Sequence, residues 1–254
     1  MSEEKGMQLA RSLKGWKAEV GMLAPTSWMY REYGLVAPEG VKFSSAVLGV
    51  EGNTPEQLKE MAKTIEVEAK KLNLGRKCDL ICLGCTTGSL IGGPGYDQQL
   101  IERIEKASGS PATTTITCVL EIFRDMNIKK VVLIGPYLKE TVDIEIKFFE
   151  HHGIKTLWTK VLGLGPIAEY WNYGNDPDAV YKLVKEGGKM AAEADCVFAS
   201  CMCTHIVGIV DTLEKEIGKP IISSPSATLY GILKKLGISD PVYHYGEALR
   251  WARV

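Results

Sequence analysis

Asp79-Leu80-Ile81-Cys82-Leu83-Gly84-Cys85-Thr86-Thr87-Gly88-Ser89 decides how this chain is read. Its first half is a short apolar run of the kind that forms a buried strand. Its second half is a small, hydroxyl-rich turn that begins on a cysteine. If a turn or short helix follows, its free backbone N–H groups point at whatever lies beside the sulfur. Such donors suit a carboxylate or an enolate oxygen. The same positive end lowers a thiol pKa, so a thiolate at neutral pH is expected at Cys85. The pattern recurs once. Val197-Phe198-Ala199-Ser200 is strand-like and ends at Cys201, ahead of a helix predicted over Ile206–Ile217.

Working outward, strand-like and helix-like stretches alternate, which predicts an α/β fold with mainly parallel strands. Strands are predicted at Ala18–Leu23, Val41–Leu48, Asp79–Gly84, Lys130–Ile134, Ile154–Val161, Asp195–Ser200 and Pro220–Ser223. Thr54 reads as the cap of a helix from Pro55 to Leu72, with proline at the first helical position. Further helices are expected at Tyr96–Ala107, Cys118–Asn127, Glu140–His151, Asp176–Glu193 and Ala227–Leu236. A strand runs into a cysteine and a helix once in each half, which suits two related lobes facing each other across a cleft. Ligands of open α/β sheets sit beyond the carboxyl ends of strands, and both cysteines fall there.

The bulk numbers exclude several function classes. Thirty basic and 31 acidic residues leave a net charge of −1, so no global field recruits nucleic acid and no polybasic run marks a membrane surface. The opening Met1-Ser2-Glu3-Glu4-Lys5 is charged and lacks the apolar core of a secretory signal. No apolar run reaches the length of a membrane span. A cytoplasmic location is expected, and the seven cysteines are expected to be free thiols rather than a disulfide scaffold.

Two thiols on opposite sides of one planar carbon can act as general acid and general base, or one can add to an activated double bond. A strand-end cysteine is also simply a small buried hydrophobe. Cys78, Cys82, Cys118 and Cys196 lack the small polar flank and are assigned to packing. Cys82-x-x-Cys85 with Cys201-x-Cys203 can be drawn as a four-thiolate zinc site, but the first pair lies along a strand and the second has one intervening residue. A redox reading of Cys82-x-x-Cys85 fails on the same strand placement. Gly163-Leu164-Gly165-Pro166 lacks a third glycine, and Gly88–Gly95 lacks a following Lys-Ser or Lys-Thr, so neither meets a nucleotide fingerprint. Tyr170-Trp171-Asn172-Tyr173 can line a pocket or pack a helix. His205 reads as a helix-start residue, and His151, His152 and His244 have no evident partner.

Cys85-Thr86-Thr87-Gly88-Ser89-Leu90-Ile91-Gly92-Gly93-Pro94-Gly95-Tyr96, Pro111-Ala112-Thr113-Thr114-Thr115, Pro136-Tyr137, and Ser200-Cys201 followed by Gly218-Lys219-Pro220-Ile221-Ile222-Ser223-Ser224 together resemble the aspartate/glutamate racemase superfamily. The similarity runs from about Gly21 to Ile238 and points to the branch holding maleate cis–trans isomerases and arylmalonate decarboxylases. The resemblance implies two similar three-layer α/β lobes with mainly parallel sheets, related by a pseudo-twofold axis, with the active site between them. The expected division is 1–120 plus 225–254 for the first lobe and 121–224 for the second.

By the same resemblance Cys85 and Cys201 are the paired catalytic thiols, and Thr86, Thr87 and Tyr137 hold a substrate carboxylate or an enolate-like intermediate. Pro25, Ser27, Met202 and Cys203 join them as substrate-binding residues. Cys203-Thr204-His205 is similar to the Cys-Thr-His of glutamate racemases, but the ungapped distance from Cys201 to Pro220 fits the isomerase and decarboxylase branch, which favours Cys201. Two departures stand out. In Pro25-Thr26-Ser27-Trp28, Trp28 occupies the position where maleate isomerases carry an asparagine, which hints at a larger or less polar substrate. Cys85 is present where arylmalonate decarboxylases have glycine, which favours two-thiol or addition chemistry. The expected function is a maleate isomerase-like enzyme acting on a small carboxylate or dicarboxylate without cofactor or metal. The alternatives are an amino-acid racemase, an arylmalonate-type decarboxylase with Cys201 as proton donor, and a carboxylate- or zinc-binding protein. No nucleic-acid or membrane partner is expected, and a homo-oligomer is compatible with this reading.

Overall fold

A computed structural model of the chain describes residues 16–250; the Met1–Lys5 stretch lies outside them. Two parallel sheets of four strands carry the architecture. The first contains β1 (Ala18–Ala24), β2 (Val41–Val47), β3 (Leu80–Leu83) and β4 (Ala112–Thr114) in the order β2-β1-β3-β4. The second contains β5 (Lys130–Gly135), β6 (Lys155–Val161), β7 (Cys196–Ala199) and β8 (Ile221–Ser223) in the order β6-β5-β7-β8. Each half therefore repeats one topology, and β3 and β7 occupy the same place in it. Both are wholly buried, as their uninterrupted apolar sequences require of parallel strands covered on two faces. The edge strands β2 and β6 are partly exposed and carry lysines, which discourages pairing with another chain.

The helices follow from capping and periodicity. Thr54 caps α1 (Pro55–Met61): its hydroxyl accepts the Gln57 N–H and the Gln57 side chain accepts the Thr54 N–H, a reciprocal capping box. The continuous helix expected over Pro55–Leu72 is broken. A 3-10 turn at Ala62–Thr64 separates α1 from α2 (Ile65–Leu72). There the Thr64 hydroxyl donates to the Met61 carbonyl at 3.0 Å, a local bond that competes with regular helix. The remaining long or site-bearing helices are α3 (Thr86–Leu90), α4 (Tyr96–Ser108), α5 (Thr115–Asp125), α6 (Lys139–His151), α7 (Ile167–Gly174), α8 (Pro177–Met190), α9 (Val210–Ile217) and α10 (Ser224–Lys235). Strand β4 and helix α7 were not expected from the sequence. The helix expected from Ile206 starts only at Val210, because the turn after Cys201 extends to Ile209.

Two buried clusters result. One lies on a single face of the first sheet, where Leu23, Ile81 and Leu83 meet Leu58, Ile65 and Leu100 of α1, α2 and α4. The other joins the opposite face of that sheet, through Val20, Met22 and Leu80, to the whole second sheet. Helices α5 and α10, which follow β4 and β8, cross in contact with each other. Gly231 makes that crossing close, since a Cβ there would stand 2.4 Å from Cys118 Sγ. Among the described residues no helix is long and apolar enough to cross a membrane.

Candidate active site

The carboxyl ends of β3 and β7 converge on one narrow cleft. Cys85, Thr86, Thr87, Tyr137, Cys201, Met202 and Pro25 line it, as do Met29, Asn53, Leu58, Ile167 and Tyr170. The sequence-derived set is thus brought together from both halves of the chain, with two exceptions. Ser27 is exposed and is not among the lining residues. Cys203 is fully buried and lies behind Cys201, with 2.9 Å between the two sulfurs.

At the first corner, Cys85 is the N-cap of α3, and the Gly88 N–H donates to its sulfur at 3.3 Å. Ser89 closes the turn by donating to the Cys85 carbonyl at 2.7 Å. Gly88 has a steric role here. A Cβ at that position would stand 2.8 Å from Cys85 Sγ and 2.7 Å from Met61 Cε. The expected neutral-pH thiolate is overturned. Burial pushes the Cys85 thiol up to about 12, against the lowering effect of the Gly88 N–H, and the neighbouring Cys201 adds to the rise. Desolvation outweighs one N–H donor because the charged form loses its water on all sides.

At the second corner, Cys201 takes φ 103°, a left-handed conformation that costs a non-glycine residue about 1–3 kcal/mol. Its N–H donates to Ser224 Oγ at 3.0 Å, and Thr86 Oγ1 donates to the same oxygen at 2.8 Å. A single hydroxyl at the start of α10 therefore ties the two cysteine corners together. The strain yields a prediction. Cys201→Gly and Cys201→Ala both remove the thiol, but only glycine relieves the backbone. The glycine variant is expected to melt about 2–4 °C above the alanine variant, the equivalent of ~1 kcal/mol in a chain of this size, as measured by calorimetry. Equal melting temperatures would mean that the strain is absent.

Asn53 was missed in the sequence because it sits in the loop ahead of α1, where it reads as turn chemistry. It is buried. Its side-chain amide donates to Thr87 Oγ1 at 3.0 Å, and its backbone carbonyl accepts from Thr141 Oγ1 at 2.7 Å. Its Oδ1 is buried without a partner among the described residues. Trp28, by contrast, does not line the cleft. Its ring meets Trp171 edge-on at 5.3 Å and lies 6.5 Å from His205, with Arg31 4.6 Å above the Trp171 ring. The hint of a larger substrate, drawn from Trp28 at the asparagine position, loses its basis, and Asn53 supplies an amide from another element. Of the aromatic run in α7, Tyr170 lines the cleft and Trp171 stays partly exposed. His205 is held by its Nδ1 against the Gly174 carbonyl at 3.0 Å.

Tyr137 follows β5, and its ring lies 6.2 Å from that of Tyr170. Its hydroxyl is 3.5 Å from Ser200 Oγ, which is 2.7 Å from Glu145 Oε1. The four-thiolate zinc set does not assemble among the described residues. Cys82 faces the cluster shared by both sheets and Cys85 the other one, and no group of three or more possible ligands is in place.

The family model described as arylmalonate decarboxylase matches residues 20–249. The maleate isomerase of Geobacillus stearothermophilus is 24% identical over 245 residues, which span 91% of this chain and 96% of that protein. A liganded mutant of arylmalonate decarboxylase superposes with a TM-score of 0.84 at 20% identity, covering 91% of this chain and 98% of the other. The maleate cis–trans isomerase of Nocardia farcinica, solved as a cysteine-to-serine mutant with a covalently bound succinylcysteine intermediate, superposes with a TM-score of 0.82 at 20% identity, covering 92% of this chain and 98% of the other.

Proposed function

The chain belongs to the arylmalonate decarboxylase family, and from that membership we propose that it is a cofactor-independent isomerase of a small unsaturated dicarboxylate, of the maleate type. The observation that carries this reading is the presence of a thiol at both strand ends of one cleft, Cys85 and Cys201. A decarboxylation needs one proton donor, whereas two facing thiols suit addition followed by elimination.

In the proposed reaction Cys85 Sγ bonds to one alkene carbon, and the π electrons shift onto the adjacent carboxylate as an enediolate. The Thr87 and Tyr137 hydroxyls and the Asn53 amide surround the developing charge, while Thr86, whose hydroxyl donates to Ser224, lines the floor beside Cys85. Cys201 gives its proton to the second carbon and recovers one from Cys85. Net, the S–H adds across the double bond. Rotation about the resulting single bond, followed by loss of the same S–H, delivers the trans isomer and regenerates both thiols. The succinylcysteine held by the Nocardia farcinica enzyme supports such an adduct in this fold. Since burial pushes the Cys85 thiol up, its proton leaves as the C–S bond forms and passes to Cys201 as Cys201 delivers its own proton to the second carbon. Seven free, buried cysteines support a reducing, cytoplasmic setting.

Proton NMR in D2O tests the reading with maleate and a panel of 2-aryl-2-methylmalonates. Formation of fumarate without CO2 release is the expected result. Release of CO2 from the malonates with maleate untouched would replace it with decarboxylation.

A further inference from the structure

Glu145 is fully buried on α6, and nothing in the reaction above uses it. One carboxyl oxygen meets Ser200 Oγ at 2.7 Å, and the other has no partner among the described residues. No described ion pair involves it. The titratable groups on the elements packed around it are Tyr137 from the β5–α6 loop, Cys201 at the end of β7 and Cys85 at the head of α3. None of these brings a positive charge. Strand β6 also packs against α6, but its Lys155 is exposed and its Lys160 is paired with Glu186. An ionised carboxylate in such a place would be desolvated and half-bonded, the state buried carboxyls avoid by keeping their proton.

The neighbouring groups give such a proton a use. Ser200 Oγ lies between Glu145 and Tyr137 Oη, 3.5 Å from the latter, and a hydroxyl has one proton to donate. If Glu145 were ionised, Ser200 would donate to it and Tyr137 would receive nothing. With Glu145 protonated, the chain runs one way: Glu145 to Ser200, Ser200 to Tyr137, and the phenol proton into the cleft. We propose that Glu145, as a neutral acid, is a positioning residue that orients the Tyr137 hydroxyl toward the substrate through Ser200. This rests on the isomerase reading for its kinetic consequences, but not for its protonation state. Burial also pushes Glu145 up to about 7, so the arrangement is held below neutral pH and lost above it. Such directed chains strengthen each bond through the polarisation of the next.

Three measurements decide it. The first needs no substrate. A carboxyl raised from about 4.3 when unfolded to about 7 when folded contributes stability that is lost as pH rises through that window. Glu32, pushed up to about 7 by burial, does the same in both proteins, so the comparison is the melting temperature of E145Q minus that of wild type. That difference is expected to grow from pH 5 to pH 8; a constant difference overturns the proposal. Secondly, E145Q retains a donor to Ser200, so its kcat on maleate is expected within about threefold of wild type, without the loss that wild type shows between pH 6.5 and 8. E145A is expected to lose about 10–100-fold, mainly in kcat, which is below or at the low end of the ~10²–10³-fold cost of deleting one transition-state donor outright, because Tyr137 itself stays in place. An E145Q variant as impaired as E145A overturns the proposal. Thirdly, in a Tyr137→Phe background E145A is expected to cost nothing further in kcat, since the group it orients is gone; a full additive loss would assign Glu145 a merely structural part. If wild type does not turn over maleate, the isomerase reading fails and the melting comparison still decides the protonation of Glu145.

Discussion

Cys201→Ala is expected to lower kcat for maleate isomerisation by about 10³-fold, within the range general acid–base groups contribute, and Cys85→Ala by at least as much, since it removes the bond-forming atom. The two variants separate the chemistries available to this cleft. Addition–elimination needs both sulfurs. One-base decarboxylation needs Cys201 alone, so a Cys85→Ala protein that still releases CO2 from a malonate would shift the assignment. Cys203→Ala is the control. Cys203 sits behind Cys201 with no share of the cleft wall, and its loss is expected to change kcat less than about fivefold, as suits a buried packing thiol. Activity lost with Cys203 and kept without Cys201 would invert the pair.

Alkylation of Cys85 in the ligand-free protein is expected to be about three thousand times slower than that of free cysteine at pH 7. The rate follows the thiolate, and a thiol at about 12 holds only ~10⁻⁵ of it at that pH, against ~10⁻¹·⁵ for an ordinary thiol near 8.5. Burial at 7% exposure slows the reagent further. Between pH 7 and 10 the rate is expected to climb about tenfold per unit. Iodoacetamide labelling with peptide mapping measures it. Labelling at the rate of free cysteine would mean a thiolate already present, and the addition step would then need no proton transfer from Cys85.

Both cysteine corners are legible in the sequence because each is written in one uninterrupted stretch. Leu80–Leu83 and Cys196–Ala199 are apolar throughout, and the residues that follow are small or hydroxylated. The change from apolar strand to polar turn is carried by residues adjacent in sequence, so it can be read without knowing what the strand pairs with. What escaped is tertiary. Asn53 enters the cleft because Thr141, 88 positions later, holds its carbonyl. Glu145 reads as an ordinary helix residue until the end of β7 is laid over it. The high pKa of Cys85 has the same origin, because the turn alone predicts a lowered value and only the packing of the whole cleft reverses it. Ser27 failed for the opposite reason: matching a motif position says nothing about which way a loop side chain turns.

Ser224 Oγ takes a hydrogen bond from Thr86 on one side and from Cys201 on the other. Mechanically that oxygen is a rivet. Moving the two cysteine corners apart would break at least one of these bonds. The spacing of the two sulfurs is therefore set by one shared oxygen, and a reacting carbon laid between them meets a floor of fixed width.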